Sequence, residues 1–117
     1  MDALAVVAAH AASEKLATDI VVLDVREPFG LADSFVIVTV GSERQAKTVA
    51  ESVEEAVREA EGLRPIRREG EPSGGWVLLD YGDVIVHVFG EEQRDFYDLE
   101  RLWRDAPRVA WEEEASA

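Results

Sequence analysis

The spacing of apolar positions divides the chain into seven segments in the order helix, strand, strand, helix, strand, strand, helix. Over about Asp2 to Ala17, Leu4, Val7, Ala8, Ala11 and Leu16 recur at helical spacing. Thr18 and Asp19 end that helix, and Ile20 to Val25 reads as a β-branched strand. A turn over Glu27 to Gly30 leads to a second strand, Ser34 to Val40, apolar on both faces. A second helix opens at Ser42. Gln45 lies three residues on, as a capping box requires, and Gly62 stands where a left-handed stop is wanted. Its stripe is Ala46, Val49, Ala50, Val53, Val57 and Ala60. Leu63 to Arg68 reads as a short edge strand, because Pro65 is tolerated only at an edge.

The most informative stretch runs from Trp76 to Phe89. It reads as two strands, about Trp76 to Tyr81 and Asp83 to Phe89, folded on a turn at Gly82. Val84, Val86 and Val88 alternate with Ile85, His87 and Phe89, so this strand is covered on both sides and lies centrally in its sheet. Glu91 to Trp103 then reads as one helix with Phe96, Leu99, Leu102 and Trp103 on its inward stripe. The segments predict an α/β domain: a mixed sheet of four or five strands covered by helices. Gly62 to Gly75 makes the crossover long enough for a parallel pairing of the second strand with the hairpin. The domain is expected over 1–106, with 107–117 as an acidic, flexible tail.

Composition narrows the function. The chain has 117 residues and no cysteine, which excludes disulfide and thiolate chemistry. No segment is long and apolar enough to span a bilayer, and the N-terminus lacks a basic leader region, so it is read as helix and the protein as cytoplasmic. Twenty-five acidic residues face 12 basic ones, a formal net charge of −13. Phosphate backbones and anionic lipids repel such a chain, and a basic protein surface suits it. Arg64, Arg67 and Arg68 form the single basic cluster and are flanked by Glu61, Glu69 and Glu71.

A strand, Gly41-Ser42 and then a helix resemble the phosphate-binding corner of a nucleotidyltransferase. Such an enzyme needs two carboxylates side by side on a strand to hold magnesium. No Asp-x-Asp occurs, Asp80 and Asp83 flank a turn, and Asp98 and Glu100 diverge on a helix. Gly41-Ser42 is therefore read as a cap and the protein as no enzyme; a magnesium-dependent nucleotidyltransferase is the alternative. His10 and His87 are too few for a zinc site, and His87 reads as a core histidine that donates to a carbonyl or a helix residue. No metal or cofactor is expected. Trp76, at the mouth of a loop, reads as an exposed aromatic anchor with Asp80, Asp83 and Glu100 around it.

These residues resemble the ribosomal silencing factor, or Iojap-like, family. The resemblance runs from about Leu4 to Trp103. It is carried by Asp19 to Asp24, Asp33-x-Phe35-Val-Ile37, Ser42-x-x-Gln45, Gly75-Trp76, Asp80 to Phe89, and Glu92-x-Arg94-x-Phe96-Tyr97-x-Leu99-Glu100-x-Leu102-Trp103. One departure is Thr39-Val40-Gly41-Ser42, where the family usually places the glycine directly after the threonine. The resemblance implies a nucleotidyltransferase-like fold without activity. It implies a translational repressor that binds the fourteenth protein of the large ribosomal subunit and blocks joining of the small one. It also implies a homodimer when free. The residues expected to meet the partner are Trp76, Asp80, Tyr81, Asp83, Arg94, Tyr97 and Glu100. Trp76 and Tyr97 would be anchors, the carboxylates would meet Lys and Arg, and Arg94 would orient a neighbouring carboxylate. Trp76→Ala is expected to weaken docking and leave the fold intact.

Overall fold

A computed structural model describes residues 3–27 and 30–112. Pro28 and Phe29 of the predicted turn, and Glu113 and Glu114 of the predicted tail, lie outside them. The elements are α1 (Ala3–Glu14), β1 (Thr18–Asp24), β2 (Ser34–Val40), α2 (Glu43–Glu61), β3 (Arg67–Glu69), β4 (Trp76–Asp80), β5 (Val84–Gly90), α3 (Glu91–Tyr97) and α4 (Leu99–Leu102). A 3₁₀ turn, Pro72–Gly74, precedes β4.

The five strands form one mixed sheet in the order β1-β2-β5-β4-β3. β2 and β5 run parallel at its centre, and the other neighbours are antiparallel. The parallel pair is the one the crossover length allows, and α2 is the crossover. The hairpin closes on Gly82, whose φ of +90° is the conformation that only glycine adopts without strain. The Tyr81 amide donates to the Val84 carbonyl across that turn at 2.9 Å.

Strict alternation splits the sheet into two faces. Val22, Val36, Val38, Val77, Leu79, Val84, Val86 and Val88 face α1 and α2 and meet their alanines and valines. Small side chains on both helices let them pack closely on each other and on the sheet. Leu23, Phe35, Ile37 and Phe89 form a second, aromatic cluster on the other face, covered by Leu99, Trp103 and Ala106.

The helix ends explain the boundaries. Ser42 caps α2: its Oγ accepts from the Gln45 amide at 3.1 Å. The reciprocal half of the box is shifted by one residue, since Gln45 Oε1 accepts from the Gly41 amide at 2.7 Å. Gly62 stops α2 in the left-handed region and donates to the Arg58 carbonyl, as predicted. Helix α1 ends earlier than its pattern suggested. Leu16 turns left-handed at φ +66° while its amide donates to Ser13 and that of Ala17 to Ala12, a Schellman stop. Leu16 is therefore exposed at 78%, outside the stripe assigned to it, and Thr18 already belongs to β1.

Two departures lie near the C-terminus. The predicted single helix breaks at Asp98 (φ +44°), where α3 ends and α4 begins. Residues 107–111, expected to fray, lie along the outer edge of β1. There the Asp24 amide donates to the Pro107 carbonyl and the Val109 amide to Val22, both at 2.8 Å.

Candidate functional site: the α3–α4 face

The break at Asp98 decides which side chains this face presents. Aspartate is among the few residues that enter the left-handed region at low cost. Its amide still caps α3 by donating to the Arg94 carbonyl at 2.9 Å. Beyond the break the helical phase changes. Leu99 and Trp103 turn inward onto the aromatic cluster, with the Trp103 ring 4.8 Å from Phe35. Phe96 and Leu102, assigned to the same inward stripe by periodicity, face solvent instead, 81% and 69% exposed. Tyr97, 45% exposed, lies between the two environments. The structure thus adds Phe96 and Leu102 to the candidate residues. The one sequence signal for Phe96 is Asp98, a residue tolerant of positive φ inside a short helical pattern.

Arg94 fixes this face to the sheet. Its side chain is 11% exposed. Nε donates to Glu100 Oε1 at 3.0 Å, and Nη1 donates to the Asp19 carbonyl at 2.5 Å and to Thr39 Oγ1 at 2.9 Å. One guanidinium therefore joins β1, β2, α3 and α4, and it orients Glu100. Its planar fork is what makes several fixed contacts possible at once.

Trp76 joins the same end of the sheet. Its ring lies 4.4 Å from Tyr97 and 4.9 Å from Phe89, and its indole N–H donates to His87 Nδ1 at 3.2 Å. It is half-buried, a brace as much as an anchor, so Trp76→Ala removes packing along with contact area. His87 is a core histidine, with a role opposite to the donor predicted: its Nδ1 accepts. Its proton then sits on Nε2, and the imidazole packs edge-to-face with Phe35, ring centroids 4.7 Å apart. Burial drives its pKa down to about 3, so the ring is neutral.

The remaining predicted residues lie elsewhere. Asp80 and Asp83 sit at the opposite end of the hairpin from Trp76 and do not ring it. Asp80 accepts from Arg67 at 3.1 Å and from the Gly82 amide at 2.8 Å, bracing the turn. The Asp83 carbonyl holds the amides of Asp33 and Ser34. Tyr81 is buried on the opposite, α1–α2 face, and burial there pushes its phenol up to about 12. Trp76, Arg94, Tyr97 and Glu100 gather on one face; Asp80, Tyr81 and Asp83 do not join them.

The family model for ribosomal silencing factor during starvation (RsfS) matches residues 1–117. The chain belongs to the ribosomal silencing factor family. It is 39% identical to the ribosomal silencing factor RsfS of Halalkalibacterium halodurans over 105 residues, 90% of this chain and 89% of that one. It is 40% identical to the Bacillus subtilis protein of the same name over 101 residues, 86% and 85% of the two chains. A solved structure from Chromobacterium violaceum superposes with a TM-score of 0.81 at 38% identity, covering 88% of this chain and 87% of that one. The ribosomal silencing factor fold is thus the mixed five-stranded sheet described above.

The corner that a nucleotidyltransferase would use for phosphate is a recess of about 370 Å³ at the start of α2. Ser42, Glu43, Ser73, Glu91, Glu92 and Gln93 help to line it. Three carboxylates around a helix N-terminus offset the positive field that would hold a phosphate there. Among the described residues no group of three or more His, Cys, Asp or Glu is arranged to hold a metal ion.

Proposed function

We propose that this protein is a translational repressor that docks on the large ribosomal subunit, through its fourteenth protein, and blocks joining of the small subunit. The observation that carries the reading is the α3–α4 face. Phe96, Tyr97 and Leu102 expose apolar surface on a frame locked by Arg94. Glu91, Glu92, Asp95, Asp98 and Glu100 surround them in sequence. Aromatic anchors inside an acidic rim suit a basic protein and repel bare RNA. The family name supports the ribosomal setting. Trp76 lies behind the patch and holds Tyr97 in place.

The mechanism is occlusion. A specific complex needs about 800 Å² from each partner. No bond is made or broken, so the protein acts stoichiometrically, without cofactor or metal. The setting is the cytoplasm. When free, the chain pairs as a homodimer through the same apolar face, which docking then uses.

Co-sedimentation with separated ribosomal subunits tests the reading. The chain should pellet with large subunits and not with small ones, and large subunits saturated with it should fail to join small ones. Joining at the normal rate on saturated particles would sink the proposal. Calorimetry with nucleoside triphosphates and magnesium tests the nucleotidyltransferase alternative, which predicts metal-dependent binding and turnover.

A further inference from the structure

Next to the aromatic patch lies a recess of about 420 Å³ between β1 and the α3–α4 segment. Asp19, Asp95, Asp98 and Glu100 line it together with the mostly buried Arg94 and the exposed Arg108. Arg108 comes from residues 107–111, a C-terminal strap along the edge of β1. The strap is pinned on both sides of this residue by the Pro107 and Val109 hydrogen bonds to β1, and Leu23 faces Arg108 across the gap. Trp111 anchors its end: the indole N–H donates to the Ile20 carbonyl at 3.3 Å, and the ring packs edge-on to His10.

Two guanidiniums therefore share one carboxylate on unequal terms. Arg94 holds Glu100 Oε1 at 3.0 Å and is 11% exposed. Arg108 reaches Glu100 Oε2 only at 3.5 Å and is 66% exposed. Arg94 belongs to the frame. Arg108 is a loosely held cation seated among four carboxylates, those of Asp19, Asp95, Asp98 and Glu100.

We propose that Arg108 is an intramolecular stand-in for a Lys or Arg of the docking partner, so that the strap is an autoinhibitory contact. This rests on the reading that a basic protein docks on the α3–α4 face. A partner cation entering the recess must displace Arg108 from Glu100. An exposed pair of this kind shifts an equilibrium by up to about fivefold, which sets the size of the restraint. The strap stays in place, because its backbone bonds and Trp111 hold it; only the side chain gives way.

The test measures binding of the full chain to isolated large subunits. Arg108→Gln should bind about three- to fivefold tighter than wild type. Arg104→Gln is the control: it removes the same charge from an exposed neighbour that does not line the recess. It should stay within about twofold of wild type, since an exposed charge with no place in the recess has no contact there for a partner cation to displace. Equal gains in both variants would reduce the effect to net charge and overturn the proposal, as would no gain in Arg108→Gln. In a Glu100→Gln background, adding Arg108→Gln should give no further gain; an undiminished gain there also overturns it. A wild-type chain that fails to pellet with large subunits would instead remove the docking reading itself.

Discussion

His87 shows how one side chain ties the hairpin to the face that α3 and α4 build. It sits at the centre of β5, paired with Ile37 on one side and Leu78 on the other. Its apolar surroundings keep it neutral, and neutrality leaves Nδ1 free to accept from Trp76, which in turn supports Tyr97. The energetic consequence has a definite sign. The folded pKa is about 3 and the ordinary value is 6.5. Below 6.5 the unfolded chain takes up a proton that the folded chain refuses. Stability contributed by the neutral ring is therefore present above pH 6.5 and declines as pH falls toward 3, by up to about 1.4 kcal/mol per pH unit. His87→Gln keeps an acceptor for the indole but does not titrate. Its urea midpoint should fall less than that of wild type between pH 7 and pH 5.5, a difference of about 1–2 kcal/mol in unfolding free energy. Equal losses in the two proteins would mean that His87 charges freely in the fold.

At the scale of elements, β1, β2, the hairpin strands and α2 were legible because each carries its own signal, whereas the edge strand expected over Leu63 to Arg68 lies instead at Arg67–Glu69. Ser34–Val40 is apolar on both faces and central, and Ser42, Gln45 and Gly62 mark both ends of α2. The C-terminal third was not legible, for two physical reasons. A left-handed aspartate between Phe96 and Leu99 resets helical phase without changing the apolar count, so periodicity placed Phe96 inward; Leu102 follows the break in the same short helix as Leu99 but lies off its inward side, which four residues are too few to show. The strap makes only a few backbone bonds to β1, and three or four residues carry no period to read. Tyr81 lies on the α1–α2 face, and alternation along a hairpin gives two faces without saying which of the helices will cover each. Of the expected residues, Arg94, Glu100, Trp76 and Tyr97 share one face, and periodicity missed Phe96 and Leu102, which expose the most apolar area there. Phe96 is the clean probe of docking, since so little of it is buried. Phe96→Ser should leave the thermal midpoint within about 2 °C of wild type, the usual range for a surface change. It should weaken binding to large subunits about tenfold or more, as loss of an interface anchor does. Unchanged binding would move the docking surface away from α3.

At the scale of the whole molecule, charge gives the two proposed associations opposite dependence on salt. A net −13 chain approaching a basic protein is attracted at long range, and the attraction is screened over about 8 Å at physiological ionic strength. Two copies approaching each other through the same face carry like charge and repel, so screening helps them. Apolar burial by Phe96, Tyr97 and Leu102 contributes to both and responds little to salt in this range. Raising sodium chloride from 50 mM to 500 mM should therefore lower the association rate with large subunits by at least about tenfold. The same change should tighten the free dimer. Measuring both on one preparation, by stopped-flow and by sedimentation equilibrium, separates a shared apolar face with an acidic rim from two unrelated surfaces. If docking strengthened with salt, the acidic rim would have no part in recognition, and the partner would have to be apolar rather than basic.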